Sequence, residues 1–449
     1  MLHNDSSHFP VSDLKRKGLR LLPLLIFMNL LACLSPASAQ YLNSLNSPFP
    51  SLNHQMTLPQ QGTDNYSQDT EGMYAPLQAV HNYNLQVGPF GYSLYANATA
   101  IYSDNINLTS NHQDHDLIFD PMATLLAEWD ITEDSSLTFN VGAGYFFYVE
   151  HPEDDRLSVD SSSTANYTYN FMVGNINMSV FAGIGYQQDP LLVPQLHGTN
   201  DFPVLSLSAG IGAFWQPISD VTFSLEYAHN TEFVLPKAFG YLSGQSDSIS
   251  TAATVNLGPG LTGGLNASLA RNYFQDDVQN GSYSLLAGGF FNARLNDYLS
   301  ANTAAGVTGA DYDRGGSNGD TSDLGSWYAT GALTYQINEF WSTQVSLGKN
   351  YFGGITSNYT EDLYVKGAVT WQTTDKLSTN VFAGISQYKD SGGFNAQTVK
   401  TWDAGAGANY TLDPRTNITL GAKYSNHDSN IEDYSYRQLE LTTSISYSF

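Results

Sequence analysis

Leu439-Glu440-Leu441-Thr442-Thr443-Ser444-Ile445-Ser446-Tyr447-Ser448-Phe449 carries in eleven residues the pattern that runs through most of the chain. Leu439, Leu441, Ile445, Tyr447 and Phe449 fall on one side of an extended backbone. Glu440, Thr442, Ser444, Ser446 and Ser448 fall on the other, because successive strand side chains point to opposite faces. The alternation returns upstream with Val221, Phe223, Leu225 and Tyr227 against Thr222, Ser224 and Glu226. It returns again with Trp341, Val345 and Leu347 against Ser342, Gln344 and Ser346. One such strand would also suit a sandwich, so the argument rests on how many there are and how long they run.

Tight turns punctuate the strands. Ile131-Thr132-Glu133-Asp134-Ser135, Gln216-Pro217-Ile218-Ser219-Asp220 and Leu295-Asn296-Asp297-Tyr298 share one grammar with Ile337-Asn338-Glu339-Phe340, Thr373-Thr374-Asp375-Lys376 and Leu412-Asp413-Pro414-Arg415. Val173-Gly174-Asn175 and Gly258-Pro259-Gly260 are weaker members. The turns recur every 36 to 43 residues, so each unit holds two strands of roughly 10–14 residues, where a propeller blade would need four short ones. A strand tilted by about 45° crosses a bilayer in roughly 9–11 residues. Long strands therefore favour a membrane barrel.

Composition agrees. Of 449 residues only 13% are charged while 41% are hydrophobic and 13% aromatic, which is a poor surface for a soluble protein. Mean hydropathy is nevertheless -0.25, too low for a bundle of apolar helices. A barrel with lipid-facing and lumen-facing residues in alternation reconciles the two. The net charge of -25 excludes nucleic acid as a general partner. The single cysteine, Cys33, excludes an internal disulfide and a cysteine-based metal site.

The reading is thus all-β: a transmembrane, antiparallel, up-and-down β-barrel of about 18 strands. The strands are placed near 90–102, 117–130, 137–148, 161–171, 176–186, 203–215, 221–230, 248–257, 261–273, 282–294, 298–310, 324–336, 341–351, 362–372, 377–388, 398–411, 416–425 and 435–449. Sixteen would remain if a weak pair such as 161–186 were misread. An even count suits a single-chain barrel with both termini on one side. Trp129, Trp215, Trp341 and Trp371 stand beside turns, as an interfacial girdle requires.

Three regions follow. Residues 1–39 read as a signal peptide, with Lys15, Arg16, Lys17 and Arg20 before an apolar run from Leu21 to Leu34 and Ala37-Ser38-Ala39 before the cut. Leu30-Leu31-Ala32-Cys33 offers a rival reading as a lipoprotein cleavage site. Residues 40–86, rich in Asn, Gln, Ser and Pro, read as a flexible periplasmic segment, and 87–449 as the barrel.

The terminal Phe449, with Tyr447, Ile445 and Leu441 at alternating positions, resembles the signature by which bacterial outer-membrane barrels engage their assembly machinery. Tyr102-Ser103-Asp104-Asn105-Ile106, followed by Asp116-Leu117-Ile118, resembles the opening of the beta-barrel porin type 2 group, some of whose members accompany exopolysaccharide export. The resemblance implies a bacterial outer-membrane location, contact with outer-membrane lipid and lipopolysaccharide, and an aqueous pore. It implies, more weakly, a polysaccharide connection. It carries over no catalytic residue.

Two function classes compete. A barrel of 16–18 strands encloses water, which favours a porin-like channel for passive or facilitated passage of small hydrophilic solutes. The alternative is a structural or adhesive barrel with a closed lumen and functional loops. Lumen charges are expected at Glu128, Glu226, Arg294, Lys366, Lys423 and Glu440. The outer segments, from 103–116 to 426–433, hold 24 acidic and 4 basic residues. That excess suggests an acidic mouth, with Asp311, Asp313, Asp320 and Asp323 its leading members, able to concentrate cations. No enzyme, cofactor or dedicated metal site is expected. His112 and His115 beside Asp114 and Asp116 have loose spacing for a metal, and Asp311 to Gly315 echoes a calcium loop with glycine where an oxygen ligand belongs. Acidic outer loops could still hold divalent cations weakly. His229 near Ser224 and Glu226 lacks the rest of a hydrolase triad.

Overall fold

A computed structural model describes residues 83–160, 163–187, 203–431 and 434–449. The predicted signal peptide, Cys33, residues 40–82 and the stretch 188–202 within the connection after the strand predicted near 176–186 lie outside the described residues. Two short strands, β1 (Leu85–Val87) and β5 (Arg156–Val159), accompany eighteen long ones. The first nine of these are β2 (Phe90–Ser103), β3 (Asp116–Thr132), β4 (Ser135–Tyr148), β6 (Ser163–Val173), β7 (Ile176–Gln187), β8 (Val204–Ile218), β9 (Val221–Val234), β10 (Gly244–Gly258) and β11 (Leu261–Phe274). The rest are β12 (Ser282–Arg294), β13 (Leu299–Tyr312), β14 (Leu324–Gln336), β15 (Trp341–Gly353), β16 (Tyr359–Thr374), β17 (Leu377–Asp390), β18 (Thr398–Asp413), β19 (Thr416–Ser429) and β20 (Tyr436–Ser448).

Each long strand pairs antiparallel with its neighbours in sequence, and β20 pairs with β2 from Tyr95↔Ser448 to Ser103↔Glu440. The sheet is therefore a closed barrel of eighteen strands. Closure leaves no free edge strand, which lets the wall amides and carbonyls pair without water over most of the barrel's height. The pair whose existence was least secure is real: β6 and β7 run in register from Ser163↔Tyr186 to Val173↔Ile176.

Short turns gather at one end of the barrel and long connections at the other. The Gly174-Asn175 turn has positive φ at its first central residue only, +65° at Gly174, the type II′ pattern that suits a two-residue hairpin and that glycine allows.

The alternation resolves into two faces. Leu125, Leu207, Leu225, Leu265, Leu285, Val307, Leu347, Val365, Val381, Leu420 and Ile445 are exposed on the outer wall. Trp129, Trp215, Trp341 and Trp371 share that wall beside the turns, and Trp341 stacks on Trp371 at 5.0 Å. Tyr227, Tyr283, Trp327 and Trp402 make a second band toward the loops. An outer wall so apolar between two aromatic bands is built to stand in lipid. The inward positions are mainly Ser, Thr, Asn, Gly and Ala.

Two details differ from the sequence reading. β9 and β10 pair up to Glu232↔Gly244, so the expected loop 231–247 shrinks to 235–243 around a 3-10 turn at Lys237–Leu242. Residues 83–86, assigned to the flexible segment, are ordered against the barrel. Leu85–Val87 pairs with β2, the Tyr83 hydroxyl donates to Glu128 Oε2 at 2.7 Å, and Asn84 Nδ2 donates to the Phe449 carbonyl at 2.6 Å.

Candidate functional site: a lumen narrowed by an inward hairpin

Most of the wall is regular, so departures from the ladder show where the lumen changes shape. β14 and β15 pair from Gln336↔Ser342 up to Ala329↔Lys349 and no further. Both strands continue. β14 stays on β13 as far as Ala310↔Leu324, and β15 stays on β16 as far as Gly353↔Tyr359. Tyr351 has the parity of the outer-wall residues Val345 and Leu347, yet it is buried against Ala310, Tyr312 and Leu324, which have lumen parity. Tyr359 joins it, its ring 6.3 Å from Tyr312 and 6.0 Å from Tyr351. The outer face of the β15–β16 tip thus packs on the inner face of β13–β14. The hairpin leans into the lumen.

Its tip reaches far. Ile355 packs with Val204, Val234 and Leu242, from β8, β9 and the 235–243 connection, a third of the way round the barrel. A buried set of polar side chains holds it there. Asn280 Nδ2 donates to Asn358 Oδ1 at 2.7 Å and to the Asp320 carbonyl at 2.9 Å. Asn318 Nδ2 donates to Gln279 Oε1 at 3.0 Å, and Gln279 Nε2 donates to the Ile355 carbonyl. The Asp320 carboxylate accepts from the amides of Asn358 and Ser322, each at 2.8 Å, and from the Ser391 hydroxyl. Burial alone would raise the Asp320 carboxyl; the donors from Asn358, Ser391 and Ser322 outweigh it and hold the group below the usual carboxylate range. Four connections, 275–281, 313–323, 354–358 and 391–397, become one roof.

A second anchor lies nearer the seam. Asp116, fully buried, accepts from the amides of Val149 at 2.9 Å, Glu150 at 3.0 Å and His151 at 2.9 Å, and bonds His151 Nδ1 at 2.9 Å. That bond raises the His151 imidazole above its ordinary value. Asp104 Oδ1 accepts from the Leu439 amide at 2.7 Å, while Asn105, fully buried, donates to the carbonyls of Thr109 at 2.9 Å and Arg437 at 2.7 Å. The residues behind the family resemblance therefore clasp the first strand to the last and tie down a loop.

The expected lumen charges divide by position. Lys366, Lys423 and Glu440 point inward on β16, β19 and β20, with Lys423 opposite Glu440 in register. Glu128 and Glu226 also point inward, Glu128 near the turns where Tyr83 binds it. Arg294 sits at the turn end against Asp297 at 3.4 Å. Alternation also places Asp120, Asp362, Asp403 and His427 inward, which the sequence reading missed although parity could have found them. Lys366 is within electrostatic reach of Asp362, Asp403 and Lys423. The β16–β20 wall is thus charged with both signs, whereas β6–β14 carry few lumen charges.

The four candidate mouth acids do not form one ring. Asp311 lies opposite the exposed Tyr283 on the outer wall. Asp320 is 3% exposed inside the roof, committed to holding loops together. Asp313 is exposed near the rim, and Asp323 pairs with Arg314 at 3.5 Å while accepting the Tyr312 amide at 3.1 Å. Leu441 and Ile445 face outward on β20, the Tyr447 ring lies 5.0 Å from that of Phe449, and the Phe449 amide donates to the Leu94 carbonyl at 3.0 Å. His112, Asp114 and His115 do not converge as ligands: no group of three or more His, Cys, Asp or Glu among the described residues could hold a metal ion.

No family model matches the chain, and no curated protein matches it in sequence. Solved structures do resemble it. Pseudomonas aeruginosa OccK1 (OpdK) aligns at 10% identity with a TM-score of 0.47, covering 80% of this chain and 99% of that one. Acinetobacter baumannii OccAB3 gives 10% identity, a TM-score of 0.47 and the same coverage. Pseudomonas aeruginosa OccK2 (OpdF) in complex with glucuronate gives 11%, 0.48, 80% and 98%. At such identity and overlap the likeness concerns architecture, and neither a solute nor a residue's role passes from them to this chain.

Proposed function

We propose that this protein is a porin-like channel of a bacterial outer membrane, passing small hydrophilic solutes. The observation that carries the reading is an eighteen-strand closed wall with an apolar exterior and a polar interior, a circumference that encloses water rather than a packed core. The turn end faces the periplasm and the loop end the outside. The inward β15–β16 hairpin sets the narrowest passage, and the mixed-charge wall around Lys366, Asp403, Lys423 and Glu440 lines the path beside it. This is transport and not catalysis.

The polysaccharide connection stays with the Tyr102–Ile106 resemblance, and the seam contacts of those residues give them a reason to be present in any such barrel. The knitted roof favours a second reading, a closed structural or adhesive barrel. Planar-bilayer recording of the purified barrel separates the two. Stepwise conductance is expected, and a barrel that inserts but never conducts would favour the structural reading. Orientation is checked in intact cells with cysteines at Phe394, which is 82% exposed, and at Gly174. Only the first should react with an impermeant reagent; labelling of Gly174 alone would invert the topology.

A further inference from the structure

A chain with 42 acidic and 17 basic residues has few cations to place. Strand parity puts five of them on the outer wall toward the loops: Arg271 on β11, Lys349 on β15, Lys389 on β17, Lys400 on β18 and Arg437 on β20. Each continues a row of exposed lipid-facing residues, among them Leu269 below Arg271, Ile385 and Val381 below Lys389, Trp402 below Lys400, and Leu441 below Arg437. Lys349 is ion-paired to Glu361 at 3.2 Å. The other four have no ion pair among the described residues.

The acids nearest to them form no ion pair with them. Asp247 stands opposite Arg271 in register, but it accepts from Tyr227 at 2.8 Å and Tyr273 at 3.3 Å and bonds His229 Nδ1 at 2.9 Å. The Arg271 guanidinium lies instead between two tyrosine rings, 5.7 Å from Tyr273 and 5.2 Å from Tyr283. Glu361 is opposite Lys389 but held by Lys349 and Tyr351, and Asp428 is opposite Lys400 without forming a pair. Arg437 bonds only a neutral amide, Asn426 Oδ1 at 3.1 Å.

The strands here run 13 to 16 residues, longer than the ~9–11 needed to span the hydrocarbon. The four cations therefore stand just above the apolar belt, at headgroup depth, below acidic loops. We propose that this rim binds the phosphates of anionic lipids in the leaflet at the loop end, with Lys389, Lys400 and Arg437 forming one arc and Arg271 a separate contact. Phosphate suits the donor set, since a guanidinium fork and ammonium groups both bind its oxygens strongly. The proposal rests on the barrel standing in a bilayer, and not on its conducting.

Native mass spectrometry of the barrel in micelles doped with phosphatidylglycerol or phosphatidylcholine tests it. Each cation near an anionic surface contributes a factor of about five, so the three-cation arc alone implies a preference for phosphatidylglycerol on the order of a hundredfold. R271Q/K389Q/K400Q/R437Q should abolish that preference while keeping the heat-modifiable mobility of a folded barrel. K376Q/R415Q, at the turn end, should leave it unchanged. Equal retention of both lipids by the unaltered protein would overturn the proposal, whether or not the variant folds. So would displacement of the lipid by millimolar inorganic phosphate, which would mark a site for a free anion. Conductance measured in pure phosphatidylcholine reports on the channel reading separately.

Discussion

The two ends of the barrel use the same strands and are held by different means. At the turn end the connections mostly satisfy themselves, with few bonds between them, such as Lys376 Nζ to the Leu412 carbonyl at 3.0 Å. Asn338 Oδ1 accepts the amides of Phe340 and Trp341 two and three residues on, Thr374 Oγ1 those of Lys376 and Leu377, and Asp413 Oδ1 that of Arg415. These are local side-chain turns, complete once a few residues bend. At the loop end the bonds that matter join residues 36 to 78 apart, from Asn280 to Gly316 and from Asn280 to Asn358. One end is an assembly of hairpins whose turns are closed chiefly by local bonds. The other is a single cooperative object, and the inward hairpin depends on it.

The largest effect should come from removing that dependence at its tip. Replacing residues 354–358 by two glycines should leave a folded barrel and raise single-channel conductance several-fold, because the passage would then be set by the wall. Unchanged conductance would mean that the hairpin does not define the narrow point. Next is Asp320→Ala, which takes the acceptor from the buried Asn358 amide, at about 1–3 kcal/mol, and from the half-buried Ser322 amide and Ser391 hydroxyl at less. Limited proteolysis should then cut the 313–323 and 391–397 connections while the strands stay protected. If cleavage instead moved to the turns, the ends would not be independent. Because the folded Asp320 carboxyl is held below its ordinary 3.8, its contribution is present above that value and is lost as pH falls through the depressed one. Acid should therefore loosen the roof before the wall.

Lys366→Gln with Lys423→Gln should shift ion preference toward cations by a modest factor and leave conductance nearly unchanged, since the carboxylates of the same wall remain. A shift toward anions would contradict the assigned lumen face. The smallest effect concerns His151. Its imidazole is raised above 6.5 by Asp116, so the added stability is fully present below that value and fades as pH rises through the raised one. Protection factors of the Val149 to His151 amides, with the intrinsic base catalysis of exchange divided out, should fall over that window, and His151→Gln should remove that fall. A protection factor that does not change with pH in the unaltered protein would detach His151 from the anchor.

The contrast between the ends also explains what the sequence made legible. All eighteen strands and every turn were readable, because alternation and turn chemistry act over two to four residues. β1 and β5 were not, since three or four residues carry no period. The roof was invisible for the opposite reason. Gln279, Asn280, Asn318 and Asn358 sit in polar loops that look solvated, and only tertiary contact distinguishes a buried amide from a wet one. The mouth acids show the same limit. Asp311 was separable in principle, because it continues the outward row of Val307 and Gly309. Asp320 was not, since nothing local marks it as the acceptor of a distant amide. Within the lumen, carrying alternation further from Lys366 would have reached Asp362, and the outward Trp402 puts its neighbour Asp403 inward.

The seam has a consequence for the time course of folding. Asn84 bonds Ser448 and Phe449 across separations of 364 and 365 residues, and Asn105 bonds the Arg437 carbonyl across 332. No shorter chain can make these contacts, so the sixteen pairings from β2 to β19 must wait with two open edges until β20 arrives. Long-range pairing is slow and exposes sticky intermediates. The protein's most vulnerable moment is therefore not in the finished wall but in transit, when a nearly complete sheet is still searching for its own beginning.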